Sequence, residues 1–176
     1  MASERALPAR LARWISAEPD WDRVYAEELP RVYNFFRYRL GPSADAEDLT
    51  ARTFEKAWCA RHRYRRDLAA LSTWLMTIAR NVAADHHRAR RLHVPLNEAV
   101  AVASGAATPE DDAVHASDAE RLSALIRTLP DRERDLIALK FGAGLTNRAI
   151  ATALGLTESN VGTILHRTVQ TLRERW

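Results

Sequence analysis

The sequence predicts an all-α protein made of two small helical domains joined by a flexible linker. Three observations carry that expectation. Glycine is scarce, 6 of 176 residues, and no stretch alternates apolar and polar residues as a half-buried strand does. Apolar residues recur instead at helical spacing in both halves. Between the halves, residues 94–118 (VPLNEAVAVASGAATPEDDAVHASD) hold small residues, Pro95, Gly105 and Pro109 but no aromatic ring, the composition of a linker. The division is an N-terminal extension 1–20, a helical domain 21–93, an acidic linker 94–119 and a second helical domain 120–176.

The first helix runs from Trp21 to Leu40 and stops at Gly41-Pro42. Val24, Tyr25, Leu29, Val32, Tyr33 and Phe36 form its apolar side, with a break or kink expected at Pro30. A second covers Ala44 to Ala60, with Ser43 as N-cap and Asp45, Glu47 and Asp48 matching the positive end of the helix dipole. The third spans Ser72 to Arg90. Leu71, Trp74, Leu75, Ile78, Ala79 and Val82 give it one apolar face, while Thr73, Thr77, Asn81 and Arg88 form a separate polar track. Trp58 and Trp74 both fall on apolar faces and read as core. After Pro109 a short helix is expected in the linker, then one with Leu122, Leu125, Ile126 and Leu129, stopped near Pro130. Another runs from Asp131 to Phe141 and ends at Gly142.

The segment TNRAIATALGLTESNVGTILHRTVQTLRER, residues 146–175, carries the most specific signal. Thr146 can cap a short helix with Ile150 and Leu154, Gly155 suits a tight turn, and Thr157 can cap the next helix. That helix buries Val161, Leu165, Thr168 and Leu172. A small residue (Ala151), Gly155 and a branched apolar residue (Val161) at this spacing mark a DNA-binding helix-turn-helix; a plain helical hairpin is the bland alternative. In the former, Glu158, Ser159, Asn160, Gly162, Thr163, His166 and Arg167 face the major groove. Asn, His and Arg can bond base edges, and Gly162 lets the backbone come close. Arg148, Arg173 and Arg175 suit phosphates.

Charge is distributed to match. Residues 61–91 hold eight Arg against two acids, residues 94–120 hold six acids and no Lys or Arg, and residues 121–176 hold nine basic residues against five acidic. Such a layout suggests two nucleic-acid-facing halves around an acidic connector, against the alternative of solvated helix faces. No apolar run approaches the ~20 residues that span a bilayer. Charges interrupt the N-terminus where a signal peptide needs an apolar core. One cysteine, Cys59, allows no internal disulfide. These features fit a reducing cytoplasm.

Two blocks together resemble one family. DAEDLTARTFEKAW (45–58) is similar to region 2.2, and STWLMTIARNVAADHHRARR (72–91) to regions 2.3–2.4, of the extracytoplasmic-function sigma factors of bacterial RNA polymerase. Residues 125–175 resemble their region 4. The resemblance implies a factor that binds core polymerase through the clamp helices and the flap. It implies recognition of promoter DNA as duplex at the −35 element and as single strand at the −10 element. Asp45, Asp48, Ala51, Arg52 and Glu55 then lie on the polymerase-binding helix, although many members have Gln-Glu where this chain has Ala51-Arg52. Asn81, within IARN, falls where the family holds an unstacked promoter base, which agrees with the polar track through Thr77. The loop RHRYRR (61–66) supplies Arg63, Tyr64, Arg65 and Arg66, with Arg for phosphate and Tyr for either stacking or packing. Arg88 and Arg91 extend the contact along promoter phosphates. In region 4, Ala149 stands in place of a frequent Glu, and Gly162 and Ile164 at positions often basic, which shifts weight to Asn160, His166 and Arg167. The acidic linker could thread through the polymerase. Many members are held inactive by an anti-sigma factor, so the resemblance implies such a partner too. No cofactor, no membrane insertion and no catalysis are expected.

Two rivals compete. Asp85-His86-His87, with His93 nearby, suggests a metal-dependent phosphoesterase. Consecutive helical side chains diverge by about 100°, however, so they close poorly on one ion. A stand-alone helix-turn-helix regulator explains residues 120–176 but not the block at 45–91.

Overall fold

The computed structural model describes residues 19–93 and 112–176. Among them every regular element is helical: α1 (Trp21–Leu40), α2 (Ala44–Cys59), a 3-10 turn (Arg61–Arg63), α3 (Leu71–His93), α4 (Asp112–Arg127), α5 (Asp131–Ile137), a π turn (Ala138–Gly142), α6 (Asn147–Leu154) and α7 (Glu158–Arg175).

Local chemistry explains the boundaries. Asp20 caps α1 by accepting from the Arg23 N–H, and Gly41, at φ 89°, ends it. The break expected at Pro30 does not occur: α1 runs through it, with the proline exposed on the solvent side. Ser43 occupies the N-cap of α2 without making a side-chain cap bond. The helix foreseen after Pro109 begins at Asp112 and continues unbroken to Arg127, so residues 112–119 belong to α4. The rest of the linker, 94–111, and residues 1–18 lie outside the described residues. The expected helix 131–141 widens at its end into the π turn, where the Ala143 N–H donates to the Ala138 carbonyl at 2.9 Å.

α1, α2 and α3 form the N-terminal unit around Val32, Phe35, Phe36, Leu49, Leu75, Met76 and Val82. α4 to α7 form the C-terminal unit around Leu136, Leu139, Ile150 and Val161. The two units share one continuous apolar core, because α1 packs along the π turn and α3 against α6. Gly142 makes the first contact possible. A Cβ there would sit 2.8 Å from the Asn34 carbonyl oxygen, closer than real Cβ atoms approach, and a tight 3.1 Å from the Phe35 Cα. Ionic contacts reinforce the joint. Asp135 of α5 pairs with Arg39 of α1 and, at 3.2 Å, with Arg80 of α3. Burial pushes the Asp135 carboxyl above the usual carboxylate range, against the opposing pull of both guanidinium groups.

Candidate nucleic-acid interface

The helix-turn-helix is built as its sequence dictates. The Thr146 side chain accepts from the Ala149 N–H at 3.1 Å, and the Thr157 side chain accepts from the Asn160 N–H at 3.2 Å. Each bond satisfies one of the orphan donors at a helix start. Gly155 closes α6 in the left-handed region, φ 64°, and donates to the Ala151 carbonyl. Ile150, Ala151, Val161, Leu165, Thr168 and Leu172 are buried, which fixes α7 against α6.

The remaining positions of α7 then face outward. Ser159, Asn160, Thr163, His166 and Arg167 are exposed and share one face, at steps that follow the helical repeat. Thr163 donates its hydroxyl proton back to the Ser159 carbonyl at 3.0 Å, leaving its oxygen lone pairs to the outside. Gly162 is half-buried, and a Cβ there would make only an ordinary 3.7 Å contact with the Asn147 amide. Internal packing therefore does not demand this glycine. Arg148 is exposed on α6, on the other arm of the motif.

The second surface lies on α3 and the loop before it. Asn81 is exposed and, among the described residues, its side chain has no hydrogen-bond partner. Thr77, one turn earlier, is half-buried and donates to the Thr73 carbonyl at 3.0 Å. Thr73 itself is buried, so the polar track narrows to Thr77 and Asn81. Tyr64 is half-buried; its hydroxyl donates to the Ala69 carbonyl at 3.2 Å and its ring lies 5.4 Å from that of Trp74. Packing thus sets the loop against α3, about 10 Å along the helix from Asn81 at 1.5 Å per residue. Arg63 and Arg66 are exposed. Arg65 makes a forked pair with Asp67 at 2.7 and 2.9 Å, and that guanidinium holds the Asp67 carboxyl below its usual range. At the tip of this loop Leu68 is 70% exposed, an apolar residue that the Arg-rich composition hid.

The end of α3 is tied to α2. Asp85 pairs with Lys56 at 3.3 Å and with Arg88 at 3.4 Å. Asp45 faces His86 at 3.6 Å and Arg90 at 3.4 Å. Asp85 and His86, adjacent in sequence, thus reach opposite ends of α2 instead of converging. Among the described residues no three His, Cys, Asp or Glu gather as a metal site. Arg88 remains highly exposed despite its pair, and Arg91 lies in the last turn of α3.

A third surface runs along α2. Asp48, Ala51, Arg52 and Glu55 are exposed on one strip, whereas Asp45 is half-buried by its partners on α3. Trp58 extends the strip by one turn. Its expected place in the core is wrong: the ring is 50% exposed, with its edge on Trp21 at 5.6 Å and the Arg61 guanidinium 4.2 Å from its centroid. Trp74 is only partly exposed and packs against the core. On the C-terminal unit Leu122, Ile126, Ile137, Phe141, Leu172 and Trp176 line an apolar groove of about 340 Å³.

Comparison with known proteins agrees with this arrangement. Residues 24–93 match the sigma-70 region 2 family and residues 119–172 the sigma-70 region 4 family. The chain is 32% identical over 152 residues to the ECF RNA polymerase sigma factor BldN of Streptomyces coelicolor, an alignment covering 85% of this chain and 58% of that protein. It is 29% identical over 170 residues to SigL of Mycobacterium tuberculosis, covering 94% of both. The fold is that of the sigma factor RpoE from Bartonella quintana, solved with the anti-sigma factor NepR (TM-score 0.72, 23% identity, 88% of this chain and 95% of that one). Among the described residues no helix is long and apolar enough to cross a membrane. With both regions matched in order, the chain belongs to the extracytoplasmic-function group of the sigma-70 family of RNA polymerase sigma factors.

Proposed function

We propose that this sigma factor binds core polymerase through α2, reads a −35 element with α7 and opens the −10 element on α3. One observation carries the reading. A single chain pairs a capped helix-turn-helix, with an exposed reading row, to a second helix whose exposed Asn81 stands beyond an Arg-rich loop. A stand-alone regulator needs only the first of these.

The roles follow from surface chemistry. On α7, Asn160, His166 and Arg167 offer hydrogen bonds to base edges, with Ser159 and Thr163 beside them and Arg148 placed for phosphate. Gly162 leaves room for close approach. On the N-terminal unit, Asn81 and Thr77 hold the unstacked base, while Arg63, Arg65, Arg66, Arg88 and Arg91 follow the single strand. Phosphate must displace Asp67 to engage Arg65 fully. Tyr64, committed to Trp74 and Ala69, shapes the loop more than it stacks; exposed Leu68 is the better apolar surface for a base.

Asp48, Ala51, Arg52, Glu55 and Trp58 form the strip for the polymerase clamp helices, with Asp45 bracing the end of α3. The apolar groove on the C-terminal unit suits an amphipathic helix, as the flap would supply. In this scheme residues 21–93 and 112–176 are the two working domains and 94–111 the connection through the enzyme. The factor supplies recognition, leaves catalysis to the polymerase and acts in the cytoplasm. An anti-sigma factor is its expected inhibitor; the RpoE structure that shares this fold is a complex with the anti-sigma factor NepR.

The reading is tested by gel filtration with core polymerase, followed by permanganate footprinting of promoter thymines. Co-elution and new thymine reactivity near −10 are expected. Duplex binding without either would favour the stand-alone regulator.

A further inference from the structure

We propose that Lys140 and Asn147 form a two-residue grip on one backbone phosphate of the duplex that α7 reads, with Lys140 setting the polarity of the Asn147 amide and Gly162 leaving the strand room to reach it. The inference deepens the helix-turn-helix reading and rests on it.

Lys140 lies outside the motif, on the π turn, where the Leu145 N–H donates to the Leu139 carbonyl at 3.0 Å and folds the chain back on itself. Leu139 and Leu145 are buried at the two ends of that bond, which anchors the fold-back. It brings the half-buried Lys140 ammonium to the half-buried Asn147 at the start of α6, 2.9 Å from its Oδ1. An ammonium only donates, so the amide must turn its oxygen toward Lys140 and its N–H2 group the other way. Among the described residues that N–H2 group has no hydrogen-bond partner. The charge behind the oxygen also polarises the amide and strengthens its N–H groups as donors.

Those N–H groups lie beside Gly162. A Cβ there would stand 3.7 Å from Asn147 Nδ2, an ordinary contact. After proline, glycine is the least favourable residue in a helix interior, so α7 carries it at a cost that its own packing does not require. A bare Cα leaves the amide uncovered on the side of α7 where Ser159, Thr163 and His166 are exposed. Donors backed by a cation, with no acceptor turned outward, suit an anion. The first helix of such a motif crosses the DNA backbone while the second lies in the groove. Asn147 opens that first helix, so the anion is a backbone phosphate and not a base edge. Lys140 acts through Asn147 and is a positioning residue.

Four variants test the grip, each first checked for folding by its helicity. The probe is a short duplex that the full-length wild-type chain selects from a random-sequence pool, with each phosphate in turn replaced by an uncharged methylphosphonate. Wild type should lose affinity at several phosphates, one of which Asn147→Ala no longer senses. Asn147→Ala itself should bind about tenfold more weakly, by the same factor across sequences. Two variants should separate binding from stability. In Asn147→Asp the new carboxylate pairs with Lys140 and suits a helix N-terminus, so this variant should melt no lower than wild type yet bind less well than Asn147→Ala. Gly162→Ala should melt about 2–4 °C higher and still bind more weakly. Lys140→Met should weaken binding in the wild-type chain and have almost no effect on top of Asn147→Ala. Affinity and melting temperature that fall together in Asn147→Asp and Gly162→Ala, a methylphosphonate pattern that Asn147→Ala leaves unchanged, or additive losses from Lys140→Met would each overturn the grip while the sigma-factor reading stands. A wild type that selects no duplex would overturn the grip and the helix-turn-helix reading beneath it. The expected phosphate pattern in a chain that directs no initiation with core polymerase would sustain the grip and sink the sigma-factor reading instead.

Discussion

Trp58→Ala tests the polymerase surface most sharply, because sequence reasoning placed this ring in the core and the structure places half of it outside. Trp58 is 50% exposed, one turn beyond Glu55 on the strip that starts at Asp48. A tryptophan can bury up to about 250 Å², so about 125 Å² of this one is left for a partner. At about 25 cal/mol per Å², covering it contributes about 3 kcal/mol. Ordering at the interface reduces that to about 2–3 kcal/mol, a loss of about 30- to 150-fold in core affinity on truncation. The inner half of the ring rests on Trp21 and beneath Arg61, so the variant should also melt earlier. Affinity is therefore measured by competition against labelled wild type, well below the transition. Glu55→Lys, exposed on the same strip, should lose affinity without losing stability. A folded Trp58→Ala chain that binds core as wild type does would refute the assignment of this strip.

Other expectations concern DNA and pH. Arg167→Ala should weaken binding to a −35 duplex by about 1–3 kcal/mol and relax preference at one base pair; a uniform loss across sequences would move Arg167 to phosphate duty. Asn81→Ala should reduce permanganate reactivity at −10 while leaving duplex affinity intact, and equal loss in both assays would contradict its role. Glu28 is 8% exposed, and burial raises its carboxyl above the ordinary 4.5 despite the Arg31 partner at 3.3 Å. The folded form thus binds that proton more tightly than the unfolded chain. Its stabilising contribution is complete below 4.5 and is lost as pH rises through the raised value. Glu28→Gln should raise the melting temperature at pH 7.5 and flatten its fall as pH rises above 4.5; a lower melting temperature at pH 7.5 would mean that the ion pair dominates.

Much of the fold was legible because the signals were local. Thr146, Gly155 and Thr157 announced the helix-turn-helix through capping and turn chemistry, and each does what its side chain or lack of one allows. The reading row on α7 followed from one helical period. What could not be read was tertiary. Trp58 sits at an apolar position of its helix, but Trp21 and Arg61 cover only the inner half of its ring. Pro30 costs α1 little because its ring faces solvent. Arg39, Arg80 and Asp135 lie far apart in sequence, and their meeting depends on how the units dock, which no local period encodes. The Asp85-His86-His87 triplet lost its metal interpretation on divergence of adjacent side chains, and the structure supplies the partners, Lys56, Arg88 and Asp45.

Run-off transcription with purified core polymerase tests the central claim most directly. Genomic DNA fragments serve as templates, and transcript ends are mapped with and without the chain. Discrete start sites are expected only when the chain is present, each preceded by shared −10 and −35 sequences, and they should be lost with Asn81→Ala. Core polymerase that initiates no differently with the chain added, while the chain still binds duplex DNA tightly, would contradict the claim.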